Sequence, residues 1–156
     1  MYILAPWKKE DSVARWNLPD RIFFGHGACH ILAGVFLEQK IDSSFRPFSI
    51  KPSSHPGAHV FVSDGQIAFD YHGYSALDRL EKHHWKVWKH QYPDWSAKIE
   101  LVDYDLLDTV ELNERNMRGA DQYLGDPIAR ARQFIHRIDH EIAAARARHL
   151  ASILFP

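Results

Sequence analysis

The chain has a single cysteine, Cys29, among its 156 residues. No disulfide can form within it, and a lone thiol fits a reducing compartment. It also lacks any excess of charge. Nineteen lysines and arginines face twenty aspartates and glutamates, for a net charge of −1, which removes the electrostatic signature of a nucleic-acid binder. No apolar run is long enough to cross a bilayer. The stretch from Met1 to Trp16 reaches Lys8, Lys9, Glu10 and Asp11 too soon to read as a signal peptide. Repeats and low-complexity tracts are absent as well. These absences point to a cytoplasmic protein with no membrane or nucleic-acid partner. With 46% hydrophobic and 25% charged residues, residues 1–156 read as one domain large enough to bury a core.

What the chain does have is a conspicuous stretch at Phe23-Phe24-Gly25-His26-Gly27-Ala28-Cys29-His30. Ala28, Ile31, Leu32, Val35 and Phe36 follow the spacing of a buried helix face. Glycines ahead of that pattern let the backbone turn sharply into the helix. Cys29 then falls in the first turn, where free N–H groups and the helix dipole favour a negative charge. The plain alternative is a buried structural cysteine.

The clearest local signal is a hairpin. Two β-rich runs, residues 59–63 and 66–71, flank Asp64-Gly65, a pair suited to a two-residue loop. With Ser63 opposite Gln66, His59 falls opposite Asp70, on the same face and within reach. Val60, Val62, Ile67 and Phe69 form the reverse, core-facing side. Around this hairpin the pattern predicts a short strand near residues 45–50 and a strand over 98–104. It predicts a capped amphipathic helix over 75–91, carrying Leu77, Leu80, His84, Val87 and Trp88 on one side, and a short helix within 106–118. Asp126-Pro127 opens a final long helix, about residues 126–152, in which Ile128, Ala131, Ile135, Ile138, Ile142 and Ala145 keep heptad spacing. That stripe either packs on its own domain or forms a homodimer seam. The expected class is α+β, a small antiparallel sheet with an early cysteine-bearing helix packed on it, the core lying within about residues 20–105.

A thiolate nucleophile needs a base, and the base needs an orienting acceptor. Cys29 at a helix start, His59 at a strand end and Asp70 across from it supply all three. This chemistry requires no cofactor, and its partner is a small-molecule or peptide acyl substrate. The order Cys, His, Asp, with cysteine on an early helix and the others on neighbouring antiparallel strands, resembles the papain-like and transglutaminase-like thiol enzymes. Gly27-Ala28-Cys29 is similar to the Gly-x-Cys turn of arylamine N-acetyltransferases in that group. The stretch His59-Val60-Phe61-Val62 with Phe69-Asp70 looks like the group's His and Asp strands. The chain as a whole also resembles small uncharacterised bacterial proteins. The resemblance implies acyl transfer or amide/ester hydrolysis by Cys29, His59 and Asp70. His30 stands where papains and transglutaminases have tryptophan, and Gly25 where the acetyltransferases have arginine. No glutamine lies shortly upstream for an oxyanion hole, leaving the Cys29 N–H, with Trp16 or Asn17 as the second donor.

Two other readings compete. A non-catalytic protein retaining this scaffold has the same pattern. A zinc hydrolase would draw on the histidine pairs His26/His30 and His55/His59, four apart in sequence, with His26, His30 and His59 as ligands. The run of Lys82, His83, His84, Trp85, Lys86, Trp88 and Lys89 reads as a solvated helix face rather than a nucleic-acid surface.

Overall fold

The structure is a computed structural model that describes residues 11–154. Trp7 and the start of the Met1–Trp16 stretch lie outside the described residues. The fold is α+β: seven α-helices among the described residues surround a five-stranded antiparallel sheet.

Two short helices come first, α1 (Ser12–Trp16) and α2 (Asp20–Gly25). Asp11 caps α1 by accepting from the N–H groups of Val13 and Ala14. Ile22-Phe23-Phe24 lies in α2, where Phe23 and Phe24 are buried. The cysteine helix, α3 (Cys29–Glu38), starts at the expected residue. Its expected face is buried, but so are His30, Ala33 and Gly34. It is the central helix of the domain, covered by the sheet on one side and by later helices on the other.

The strands are β1 (Arg46–Pro52), β2 (His59–Ser63), β3 (Ile67–Asp70), β4 (Gly73–Ala76) and β5 (Ala97–Leu101), in the order β4-β3-β2-β1-β5. The hairpin forms, but its register is two residues away from the expected one. Ser63 pairs with Ala68 and Val62 with Phe69. Asp64 is not a loop residue of a two-residue turn. Its N–H donates to the Ile67 carbonyl, and its carboxylate accepts from the N–H groups of Gln66 and Ile67. Gly65 takes the positive φ, +93°, so the loop is Gly65-Gln66. A slip of two residues keeps side chains on their faces, whereas a slip of one would have reversed them. His59 and Asp70 become diagonal neighbours instead of direct partners, still on one face.

Both faces of the sheet are covered. Val60, Val62, Ile67 and Phe69 pack with Phe24, Ile31, Val35 and Phe36 in the larger core. On the opposite face Ile50, Phe61 and Ala68 meet Trp95 and Leu80 of α4 (Leu77–Gln91). Helix α4 begins later than the capping-box reading expects. Ser75 belongs to β4, paired with Ala68, and Ala76 precedes the helix without a side-chain cap. A β-ladder position thus overrode a local capping signal. The edge strand β5 is shorter than 98–104, and the short helix α5 (Thr109–Glu114) lies inside its expected window.

The stretch from Asp126 is two helices, not one: α6 (Pro127–His136) and α7 (His140–Leu154). Asp126 and Pro127 open α6 as expected. A second start signal then interrupts the chain. Asp139 accepts from the Ile142 N–H through its side chain, and from Ala143 through its carbonyl. The heptad stripe is broken accordingly, since Ala131 and Ile135 are buried while Ile142 and Ala145 are exposed. Arg130 ties α6 to the start of the chain. Its guanidinium donates to Asp20 and to the carbonyls of Trp16 and Leu18, over the face of Phe23.

The turn into α3 rests on Gly27, whose φ is +105°. A Cβ there would lie 2.3 Å from the Arg15 Nη2. Gly27→Ala is expected to cost about 1–2 kcal/mol for the left-handed backbone alone, with a further cost from displacing Arg15. Urea unfolding of the variant measures this, and the same substitution is expected to slow alkylation of Cys29.

Candidate active site

The three expected residues meet where the N-terminus of α3 abuts the start of β2. The His59 Nε2–H donates to the Asp70 Oδ2 at 3.1 Å, with both side chains buried. The other carboxylate oxygen of Asp70 accepts the His72 backbone N–H at 2.7 Å. The Cys29 Sγ accepts from the Val60 N–H at 3.4 Å, which sets the sulfur beside the first residues of β2. Cys29 is near enough to His59 for the two to influence each other's ionisation, and Nε2 of the imidazole is committed to Asp70. Cys29 keeps partial exposure.

Local structure explains the convergence. Ala28 offers no side-chain cap, so the first N–H groups of α3 have no local acceptor and Cys29 stands among them. His59 is the first residue of β2, paired with Ile50 of β1. Asp70 is the last residue of β3, opposite Gly73, just before the Tyr71-His72 turn. Both therefore sit at the end of the sheet nearest the start of α3.

The electrostatics follow from that geometry. Burial opposes ionisation of Cys29, but hydrogen bonds with His30 and then His59, together with their charge, bring the thiol down to about 5. Burial likewise disfavours a charged His59. The hydrogen bond to Asp70, followed by that to Cys29, outweighs it and raises the imidazole to about 10. Asp70 is held well below the usual carboxylate range, because the bonds from His59 and His72 overcome its own burial. The Cys29 and His59 shifts run in opposite directions and together favour a thiolate–imidazolium pair beside an ionised carboxylate.

Sequence reasoning missed some of the surroundings. His30, a zinc candidate by its spacing, instead sits next to Cys29 and donates its Nε2–H to the Arg118 carbonyl at 2.8 Å. His84 stacks on His59, with centroids 5.7 Å apart and planes 16° apart. It donates to the Gly57 carbonyl. Burial, and then the charge of His59, push its pKa down to about 4, so the stacking partner is neutral. Tyr71 meets His59 edge-on at 5.3 Å. A histidine on the apolar face of an amphipathic helix was the one signal of His84. Nothing local pointed to Tyr71.

The other expected site residues lie elsewhere. Trp16 packs edge-on against Phe23 and under Arg130. The Asn17 N–H is spent on the carbonyls of Val13 and Arg15. His55 pairs with Asp94. Among the described residues no three of His, Cys, Asp or Glu are grouped so as to hold a metal ion, so His26, His30 and His59 do not form a ligand set. A cavity of about 300 Å³ reaches His59 and Asp70 from the α4 side, lined also by Tyr74, Arg79 and His83. A larger groove of about 920 Å³, beside β4 and the C-terminal helices, is lined by none of Cys29, His59 and Asp70.

Compared with family models, with curated proteins and with solved structures, the chain matches none of them. Among the described residues no helix is long and apolar enough to cross a membrane.

The stated ionisation predicts a titration. Alkylation of Cys29 by iodoacetamide is expected to rise through a midpoint near 5 and then level off. Removing the base by His59→Ala is expected to move the midpoint toward the free-thiol value of about 8.5. An unmoved midpoint in a folded variant would mean that the two residues are uncoupled.

Proposed function

We propose that the protein is a thiol enzyme of acyl transfer or amide/ester hydrolysis, with Cys29 as nucleophile, His59 as acid and base, and Asp70 as its orienting carboxylate. The observation that carries this reading is the buried His59–Asp70 hydrogen bond at the end of one sheet, with the Cys29 sulfur held beside the same strand end by the Val60 N–H.

In this reading the Cys29 thiolate attacks the carbonyl carbon of the substrate, and the carbonyl π pair moves onto oxygen. The N–H groups at the start of α3 face the developing oxyanion, with the Cys29 N–H as first donor. As the tetrahedral intermediate collapses, the bond to the leaving group breaks and the His59 imidazolium gives that group its proton. The products of this half are a thioester on Cys29, a neutral His59 and the free leaving group. Water or another acceptor then loses a proton to His59 as it attacks the thioester. Expulsion of the thiolate restores the ion pair and releases the acid or the transferred acyl product. Asp70 holds the imidazole through Nε2 throughout and favours its charged form without taking the proton.

An activated ester tests the cycle directly. With p-nitrophenyl acetate the protein is expected to release a burst of nitrophenolate and gain the mass of one acetyl group on Cys29. Cys29→Ala is expected to abolish the adduct. His59→Ala is expected to slow its formation by roughly 10²–10⁴-fold, the range for a positioned acid–base group. Asp70→Asn is expected to give a smaller loss in the same direction. Equal adduct formation by wild type and His59→Ala would overturn the proposal.

A further inference from the structure

Most of the arginines near the C-terminal helices have a carboxylate. Arg130, Arg132, Arg137 and Arg148 pair with Asp20, Glu38, Asp20 and Asp64. Among the described residues, the two arginines beside the Cys29 turn do not. Arg15 is half-buried and its Nη2 donates to the carbonyls of His26 and Gly27, 3.2 Å from each. Its guanidinium lies 5.7 Å from the centroid of the Tyr123 ring, and the Tyr123 hydroxyl donates to the same Gly27 carbonyl at 2.6 Å. Among the described residues the Arg15 Nε is buried without an acceptor, a costly state for a charged group. Arg118 extends an exposed side chain from the residue whose carbonyl accepts from His30. After burial, its positive charge is the next influence that lowers the pKa of Arg15. Together with Ser12, Gln122 and Tyr123, the two arginines line one shallow depression.

A second positive charge beside a half-buried guanidinium, with no carboxylate among the described residues to offset the pair, is destabilising until an anion arrives. Resting on the thiol-enzyme reading, we infer that the substrate of this site carries a carboxylate, which Arg15 and Arg118 hold while its acyl carbon faces Cys29. Guanidinium groups suit that ligand because their planar donors match two carboxylate oxygens. Tyr123 and the Gly27 carbonyl fix Arg15 in place, and Arg118 closes on the ligand from the exposed side.

A pair of reagents of equal reach and unequal charge tests this. Both iodoacetate and iodoacetamide alkylate the thiolate, so the ratio of their rates does not depend on how ionised Cys29 is. A positive charge within a Debye length of the sulfur, on the water side, changes the local concentration of a monoanion by roughly twofold. With two arginines, the ratio on this protein at low salt is expected to exceed that on glutathione by about three- to fivefold. Arg118→Gln is expected to lower it about twofold, and Arg118→Glu further. Arg15→Gln is expected to lower it too, but that residue also holds the Gly27 turn, so the exposed Arg118 variants decide the matter. Raising the salt to about 0.5 M is expected to bring the ratio toward that of glutathione. The His59 imidazolium also attracts iodoacetate, but it is unchanged in the Arg118 variants. A ratio equal to that of glutathione, or one that both Arg118 variants leave unchanged, would overturn the inference. The absolute iodoacetamide rate near neutral pH reports separately on thiol activation. A slow thiol with a high ratio would sink the enzyme reading and leave the anion site standing.

Discussion

A carboxylate buried between a sheet and a helix is unstable unless something charged or polar meets it, and Asp70 is in that position. Its two oxygens are met by the His59 ring and the His72 backbone N–H. The Tyr71-His72 turn that supplies the N–H is the same turn that ends β3 and sends the chain back as β4. Satisfying one buried charge therefore fixes a turn, a strand end and the orientation of an imidazole at once. Once His59 is held charged by Asp70, a thiol beside it is drawn to its thiolate form, and the ionisation of all three residues becomes a single property.

The remainder of the fold keeps that end of the sheet aligned. Helix α3 is buried on nearly every side, so Cys29 at its first position has little freedom to move relative to β2. The Val60 N–H that donates to the sulfur belongs to the peptide unit that follows His59, which ties the Cys29 sulfur to the strand end that carries the imidazole. On the opposite face, His84 and Tyr71 enclose the ring of His59. His84, neutral because of burial and the neighbouring charge, adds contact area to the imidazolium without adding a second positive charge. Arg130 holds α6 against the start of α2 and the segment before it.

Where local signals and the fold disagreed, a long-range partner decided. Ser75 and Asp78 have the chemistry of a helix start, yet Ser75 pairs with Ala68 because the sheet gains a strand there. The Asp64-Gly65 dipeptide marks a hairpin, yet the turn moves one residue onward because the Asp64 carboxylate accepts from two following N–H groups. The heptad stripe after Asp126 has the period of one long helix. Asp139 starts a new helix inside it, and the His140 ring reaches back to the Ile135 carbonyl.

By itself the sequence determined the local parts: a helix that starts at Cys29 after a glycine with positive φ, a hairpin around Gly65, and one alternating face that carries both His59 and Asp70. These follow from steric limits and from periodicities of two and 3.6, which act over a few residues and are written in the chain. The pairing of histidine with aspartate survived a wrong register because a slip of two residues preserves faces. Tertiary structure alone decided that the start of α3 meets the end of the sheet, that His30 bonds the Arg118 carbonyl, and that His84 and Tyr71 pack on the His59 ring. It also decided that Arg15, Arg118 and Tyr123 gather beside the cysteine turn. Those contacts join residues far apart in the chain. Their formation depends on how the two cores pack on either side of the sheet, and no local period records it.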